Sequence, residues 1–357
     1  MQIVNETPFS VGTMFWEDLQ GKANLSIIVK ATFSITKQGA AAAVDQLPLF
    51  TTDEHYGDEP LASVRFESDM APFKPLADVV LVGKAYAPGG RPVARLDVSL
   101  RIGGVQRVIR VFGDRKWSYS SKLALVPTIS DPKPFVTMDL VYERAFGGID
   151  ETAAQYCKEN LVGRGFIGKK SVASIDGKLL PNLEAPYNLI DSWKSQPKPA
   201  GFGFYGRGWQ PRLRHAGTYD EKHERERAPA LPLDFSYAIF NGAHPDLQVK
   251  GYLHGDEEVE LIHLSRDPLL RFRLPGMRPT VRVSTWTVPL AEWMDQQIAE
   301  GREVAVEDVP TREQGVESVL DTLVLVPDEG IFYEVFRGVV PLAGLAAPEV
   351  ACIRITR

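Results

Sequence analysis

The sequence predicts a mainly β fold, α+β with few helices, in which antiparallel sandwich-like sheets carry long ordered loops. Three observations predict it. The runs Arg95–Ile102 and Val105–Phe112 alternate apolar and polar residues with period two, the pattern of strands and not of helices. The chain has 30 glycines and 26 prolines in 357 residues, which punctuate many short apolar runs. One stretch, Ala291–Gly301, reads clearly as a helix.

Taken in order, Gln2–Val4 is a short strand ended by Asn5–Pro8. Leu25–Ile35 is a longer strand with Lys30 and Thr32 polar within it. Gln38–Gly39 reads as a turn and Ala40–Ala43 as a spacer, followed by a polar loop over Asp45–Pro60. The organising stretch is Val64–Trp117. Within it, the Val-rich run Ala77–Ala87 and the two alternating runs form a predicted three-stranded meander. Its linkers, Ala87–Pro92 and Gly103–Gly104, suit hairpin turns because glycine reaches positive φ without strain. Polar clusters at Asp69–Asp78 and Gly113–Trp117 bracket it.

Ser118–Pro134 is irregular, and Phe135–Glu143 is a further strand. Asp150–Trp209 has no periodicity, yet Phe166, Tyr187, Trp193, Phe202, Phe204, Tyr205 and Trp209 are interleaved through it. Disordered segments are poor in aromatics, so this region is expected to be a set of ordered loops forming a functional surface. Strands follow at Leu247–His254, Val259–Leu264, Leu270–Leu274 and Thr280–Val288. The helix is expected to bury Trp293, Met294 and Ile298 and to stop at Gly301. Leu320–Val326 and Ile331–Phe336 form a hairpin around Pro327–Gly330, and Val350–Ile355 is the last strand. The chain reads as one domain over 1–357, or as two β-rich lobes, about 1–150 and 232–357, bridged by an irregular region at 151–231.

Composition excludes some classes. Hydrophobic residues make up 44% and charged residues 24%, an ordinary globular balance, and the net charge of −6 gives no global field for nucleic acid. The start of the chain lacks a signal-peptide pattern, and no run approaches the roughly 20 apolar residues of a membrane span. A cytoplasmic protein without a membrane span is expected. The two cysteines, Cys157 and Cys352, are expected to be free thiols.

No motif compels a chemistry. Gly201–Gly206 matches GxGxxG, but neither a strand before it nor a helix after it is credible, so it is expected to be a loop. His254 and Asp256, with His263 on a paired strand, are the weak metal candidate, set against a solvated hairpin rim. Arg107, Arg110, Arg115 and Lys116 lie near Trp117 and Tyr119, and Arg207, Arg212 and Arg214 lie near Trp209. Such clusters can bind nucleic acid. In an acidic chain they suit a protein partner better, since Arg and Trp are enriched at interface hot spots.

An ordered series of short motifs runs through the chain. It includes Asn5-Glu-Thr-Pro-Phe9, Val29-Lys-Ala-Thr-Phe33, Asp69-Met-Ala-Pro-Phe-Lys-Pro75, Asp78-Val, Val82-Gly and Gly113-Asp-Arg-Lys-Trp117. It continues with Tyr142-Glu-Arg-Ala-Phe-Gly-Gly148, Asn160-Leu-Val-Gly-Arg-Gly165, Leu180-Pro-Asn-Leu-Glu184 and Pro199-Ala-Gly-Phe-Gly203. It ends with Trp209-Gln-Pro-Arg212, Tyr219-Asp220 and Leu253-His-Gly-Asp-Glu257. This order resembles a bacterial family first catalogued as a domain of unknown function, encoded in type VI secretion clusters, whose members act as effector adaptors or chaperones.

The resemblance implies a non-enzymatic adaptor. It would bind a toxin carrying a PAAR-type domain, or the segment flanking that domain, and help load it onto the VgrG spike. It implies no catalytic residue, cofactor or metal. The candidate partner contacts are Arg115, Trp117, Phe202, Phe204, Arg207, Trp209 and Arg212. The candidate loop-structuring residues are Asp69, Lys74, Asp78, Asp114, Gly147 and Gly148. The competing expectation is a hydrolase or metal-dependent modifying enzyme using His254, Asp256 and His263.

Overall fold

The structure is a computed structural model, and it describes residues 1–36, 39–43, 45–119, 126–342 and 350–356. It is mainly β. A seven-stranded sheet runs Gln248–Val249, Ala77–Leu81, Ser318–Val326, Ile331–Pro341, Ala23–Thr36 and Ser10–Glu17, with Gly39–Ala42 also paired to Ala23–Thr36. A five-stranded sheet runs Leu183–Glu184, Val105–Phe112, Arg95–Ile102, Glu258–Ile262 and Leu269–Arg273. A four-stranded sheet runs Gln2–Asn5, Val350–Thr356, Thr280–Trp286 and Thr311–Val316. Each large sheet mixes strands from 1–150 with strands from beyond 232.

The seven- and five-stranded sheets pack face to face. Phe332 stacks on Phe272 across the gap, with ring centroids 5.3 Å apart. Cross-strand partners share a face. Register therefore puts Val29, Ala31, Phe33, Leu323, Leu325, Phe332 and Phe336 on the apolar side toward that gap. The other side of the same sheet is also buried, but it carries Lys30, Asp78, Thr322 and Arg337. The segment 45–75 covers it.

Ion pairs hold that cover down. Lys30 Nζ lies 3.0 Å from Asp69 and sits over the Phe50 ring at 3.5 Å. Lys74 Nζ lies 2.9 Å from Asp78 and donates to Thr322 Oγ1 at 2.9 Å. Arg337 pairs with Asp321 at 2.6 Å and donates to the backbone oxygens of Ala71 and Asp69. Burial disfavours the charged Lys30 and sets its pKa below the usual lysine value, although Asp69 opposes the shift. Around Lys74, burial is outweighed by Asp78, Asp321 and Glu67, and its pKa rises.

The hairpin Arg95–Phe112 has the register expected of a two-residue turn, with Ile102 opposite Val105. The meander does not exist as such. Ala77–Leu81 leaves the hairpin and joins the other sheet, parallel to Ser318–Val326, while Lys84–Tyr86 pairs with Thr137–Asp139. All five residues of Ala77–Leu81 are buried, as suits a strand covered on both faces. Phe135–Glu143 is correspondingly short, a strand only at Thr137–Asp139 before a 3-10 turn at Tyr142–Arg144.

Ala40–Ala43 is no spacer, since Gly39–Ala42 is a strand; Gln38 of the expected turn lies outside the described residues. Within Ser118–Pro134, residues 120–125 also lie outside them. Leu247–His254 is a strand only at Gln248–Val249. The helix spans Leu290–Ala299, and Gly301 follows with φ +71°. Its buried residue is Gln297, whereas Ile298 is 63% exposed. Strands at Ser10–Glu17 and Thr311–Val316 carry no alternation in sequence and are found only by their pairing.

Candidate functional site

Residues 141–246 form a loop layer beside the five-stranded sheet. Buried polar side chains reinforce the short ladders and turn hydrogen bonds of its backbone. Asn160 Nδ2 donates to the carbonyl oxygens of Tyr142 and Phe146 at 2.8 and 3.1 Å. Asn182 Nδ2 donates to the Phe112 carbonyl and to Asp114, and its own amide donates to Arg144 O. Asp150 accepts from Ala153 N, Gly168 N and Ser171 Oγ. Glu184 accepts from Ile190 N and pairs with Arg115.

Gly147 and Gly148 lie where this layer is tightest. Gly148 has φ +104°, and a Cβ there would stand 2.5 Å from the Gly163 carbonyl oxygen. At Gly147 it would stand 2.3 Å from Asn160 O. Gly201 opens the GxGxxG stretch against the Tyr142 ring, where a Cβ would come within 2.6 Å. The stretch is a loop, without a helix after it.

The candidate loop residues sit as follows. Asp69 accepts from Lys30 and from Phe50 N. Asp78 joins Lys74 to Gly242 N, Ala243 N and Asn241 Nδ2, so it ties the segment 74–78 to the end of the loop layer. Asp114 accepts from Asn182 and lies 3.9 Å from Arg144.

Six of the seven candidate partner contacts are buried. Trp117 fills a small second core with Phe146, Cys157, Ile167, Ile175, Leu180 and Ile190. Phe202, Phe204 and Trp209 belong to the main core. Arg115 lies over the Phe112 ring at 3.7 Å and is paired with Glu184. Arg212 bridges Glu67, at 2.5 Å, to the carbonyls of Tyr205 and Ile239. Burial disfavours the Glu67 carboxylate, but Arg212, Lys74 and Arg207 outweigh it and lower its pKa. Arg207 alone reaches the surface, paired with Glu67 at 2.9 Å and Asp53 at 3.2 Å. The other six side chains are committed to the interior and act on the fold.

In the basic–aromatic cluster near Trp117, Lys116 is exposed and the three arginines are paired. Arg107 pairs with Asp246, Arg110 with Asp97 and Arg115 with Glu184. His254 and His263 lie beyond opposite ends of the strand Glu258–Ile262, and Asp256 is paired with Arg273 at 2.8 Å. Those three do not converge. Among the described residues there is no group of three or more His, Cys, Asp or Glu side chains placed to hold a metal ion.

A cleft of about 600 Å³ opens on the layer between its loops and the strand Val105–Phe112. Arg107 and His244 form its floor, Tyr205 and Pro199 one wall, and Lys198, Arg214 and Tyr187 its rim. Tyr187 is 80% exposed. Arg107 is held by Gly201 O at 3.0 Å, His244 Nδ1 at 2.8 Å and Asp246 at 2.5 Å. Sequence reasoning passed over Lys198, His244 and Asp246 because residues 107, 198 and 244 are far apart in the chain and meet only through loops that fold over the strand Val105–Phe112. Among the described residues, no helix is long and apolar enough to cross a membrane.

No curated protein and no solved structure matches the chain. A family model described as an uncharacterized protein conserved in bacteria, DUF2169, matches residues 20–337. That span holds the whole five-stranded sheet, the other two large sheets in part and the whole loop layer, and the chain belongs to this bacterial family.

Proposed function

We propose that the chain is a non-enzymatic, cytoplasmic adaptor. It binds a PAAR-type toxin, or the segment flanking the toxin's PAAR-type domain, and assists its stabilisation and loading onto a VgrG-type spike. The reading rests on the ordered motif series and on one observation. Motif residues of the loop layer, among them Asn160, Asn182, Glu184 and Arg212, are buried and spent on loop backbone. A chain that fixes loops this way gains a rigid, irregular surface, which is what a preorganised binding module requires. The cleft with its exposed Tyr187 lies on that surface.

The test is a co-expression pull-down with the protein as bait and PAAR-type toxins encoded beside it as prey. A stable complex, lost when the segment flanking the PAAR-type domain is deleted, is the expected result. No complex from folded bait would overturn the adaptor reading.

A further inference from the structure

The cleft has a donor set that its own side chains leave unused. His244 lies at its floor and is 7% exposed. The Asp246 amide donates to His244 Nδ1 at 3.1 Å, and Arg107 Nη1 donates to it at 2.8 Å. Two donors on one nitrogen leave no room for a proton there, so the neutral ring carries its proton on Nε2. Burial, then Arg107, then Lys198 push the His244 pKa down to about 3, which keeps the ring neutral. Nε2–H has no hydrogen-bond partner among the described residues, and it is not among the sealed polar atoms.

The rim adds charge. Lys198 and Arg214 are exposed, and neither has a carboxylate partner among the described residues. The acidic side chains lining the cleft are Glu159 and Asp246, and Asp246 is already paired with Arg107. In a chain of net charge −6, a cleft with two cations that lack a carboxylate partner and an unpartnered N–H open to it is built for an anion. Its size, and the exposed Tyr187 on its rim, fit a peptide rather than a small ion.

We propose that this cleft captures a carboxylate side chain of an extended acidic peptide segment. His244 Nε2–H and the Lys198 and Arg214 cations receive the carboxylate, and Tyr187 covers a neighbouring apolar residue. The identity of this segment as part of a toxin rests on the adaptor reading; the carboxylate chemistry rests on the geometry alone.

The probes are two blocked peptides, acetyl-Gly-Glu-Phe-Glu-Gly-amide and its Gln counterpart, titrated calorimetrically into the full chain at low salt. The acidic peptide is expected to bind with a Kd below about 1 mM and the Gln peptide at least about tenfold more weakly. Lys198→Gln with Arg214→Gln is expected to weaken the acidic peptide about tenfold while leaving Tm unchanged, because both side chains are exposed. The His244 Nε2–H signal should shift with the acidic peptide only. Equal binding of the two peptides, no binding of the acidic one, or an unaffected double variant would overturn the proposal. The two readings fail separately. A toxin captured equally by wild type and double variant removes the cleft and keeps the adaptor. A toxin not captured by wild type, with the peptide result intact, removes the adaptor and keeps the cleft.

Discussion

Glu334 offers a sharp test of the packing account. It lies in the strand Ile331–Pro341, opposite Leu323 and Ala31, on the apolar face between Phe332 and Phe336. It is fully buried, and neither carboxyl oxygen has a hydrogen-bond partner. Burial, reinforced by Glu257, pushes its pKa well above the ordinary 4.5, so the native state keeps the proton. An unpaired buried polar group costs about 1–3 kcal/mol. Glu334→Met keeps the length and removes the polar atoms, so it is expected to stabilise the fold by about 1–3 kcal/mol, a rise of about 1–4 °C in a chain of this size.

The pH dependence follows from the direction of the shift. Below 4.5 both states are protonated and the native state loses nothing. As pH rises above that value the unfolded chain gives up the proton while the native chain keeps it, so stability falls. Urea unfolding of wild type and Glu334→Met at about pH 5 and about pH 8 reads both effects, and the gap between them should widen at the higher pH. Glu334→Gln should remove the pH dependence but not the unsatisfied polar group. A destabilising Glu334→Met, or a gap that does not change with pH, would refute the reasoning.

Asp69→Ala strands Lys30 at zero exposure and should cost about 3–5 kcal/mol in urea unfolding. Trp117→Ala opens the second core and should cost about 3–5 kcal/mol, whereas Arg207→Ala, at a half-exposed pair, should cost no more than about 1 kcal/mol. Gly148→Ala meets backbone at 2.5 Å and should lower Tm clearly, while Gly89→Ala, with φ +59° and open space, should cost about 1 kcal/mol. His244 acts in the opposite sense to Glu334. Its stabilising contribution is present above pH 6.5 and is lost as pH falls toward about 3, because the unfolded chain takes up the proton first, and His244→Phe should flatten that limb.

What the sequence made legible was local. Alternation and a Gly-Gly turn located the hairpin Arg95–Phe112 and its register. Pro327–Gly330 located the turn between Ser318–Val326 and Ile331–Pro341, with Gly330 left-handed. What it hid was partnership across long separations. Nothing in Ala77–Leu81 says that its neighbour is Thr322–Leu325 and not Arg95. Lys30 looked like a polar position on a strand and is instead a buried ion pair with Asp69. Arg115 and Arg212 looked like surface hot spots for the same reason. Their carboxylate partners, Glu184 and Glu67, lie 69 and 145 residues away, and only the fold brings them close. The cleft was invisible because no one segment contains it.

The most direct measurement of the central claim is amide hydrogen exchange of the chain with and without a captured PAAR-type toxin. The account predicts new protection at 185–188, 198–201, 210–214 and 243–247, the segments that line the cleft, with the sheet core unchanged. Protection confined to other surfaces, such as the exposed edge strand Thr311–Val316, or no protection from any such toxin, would contradict it.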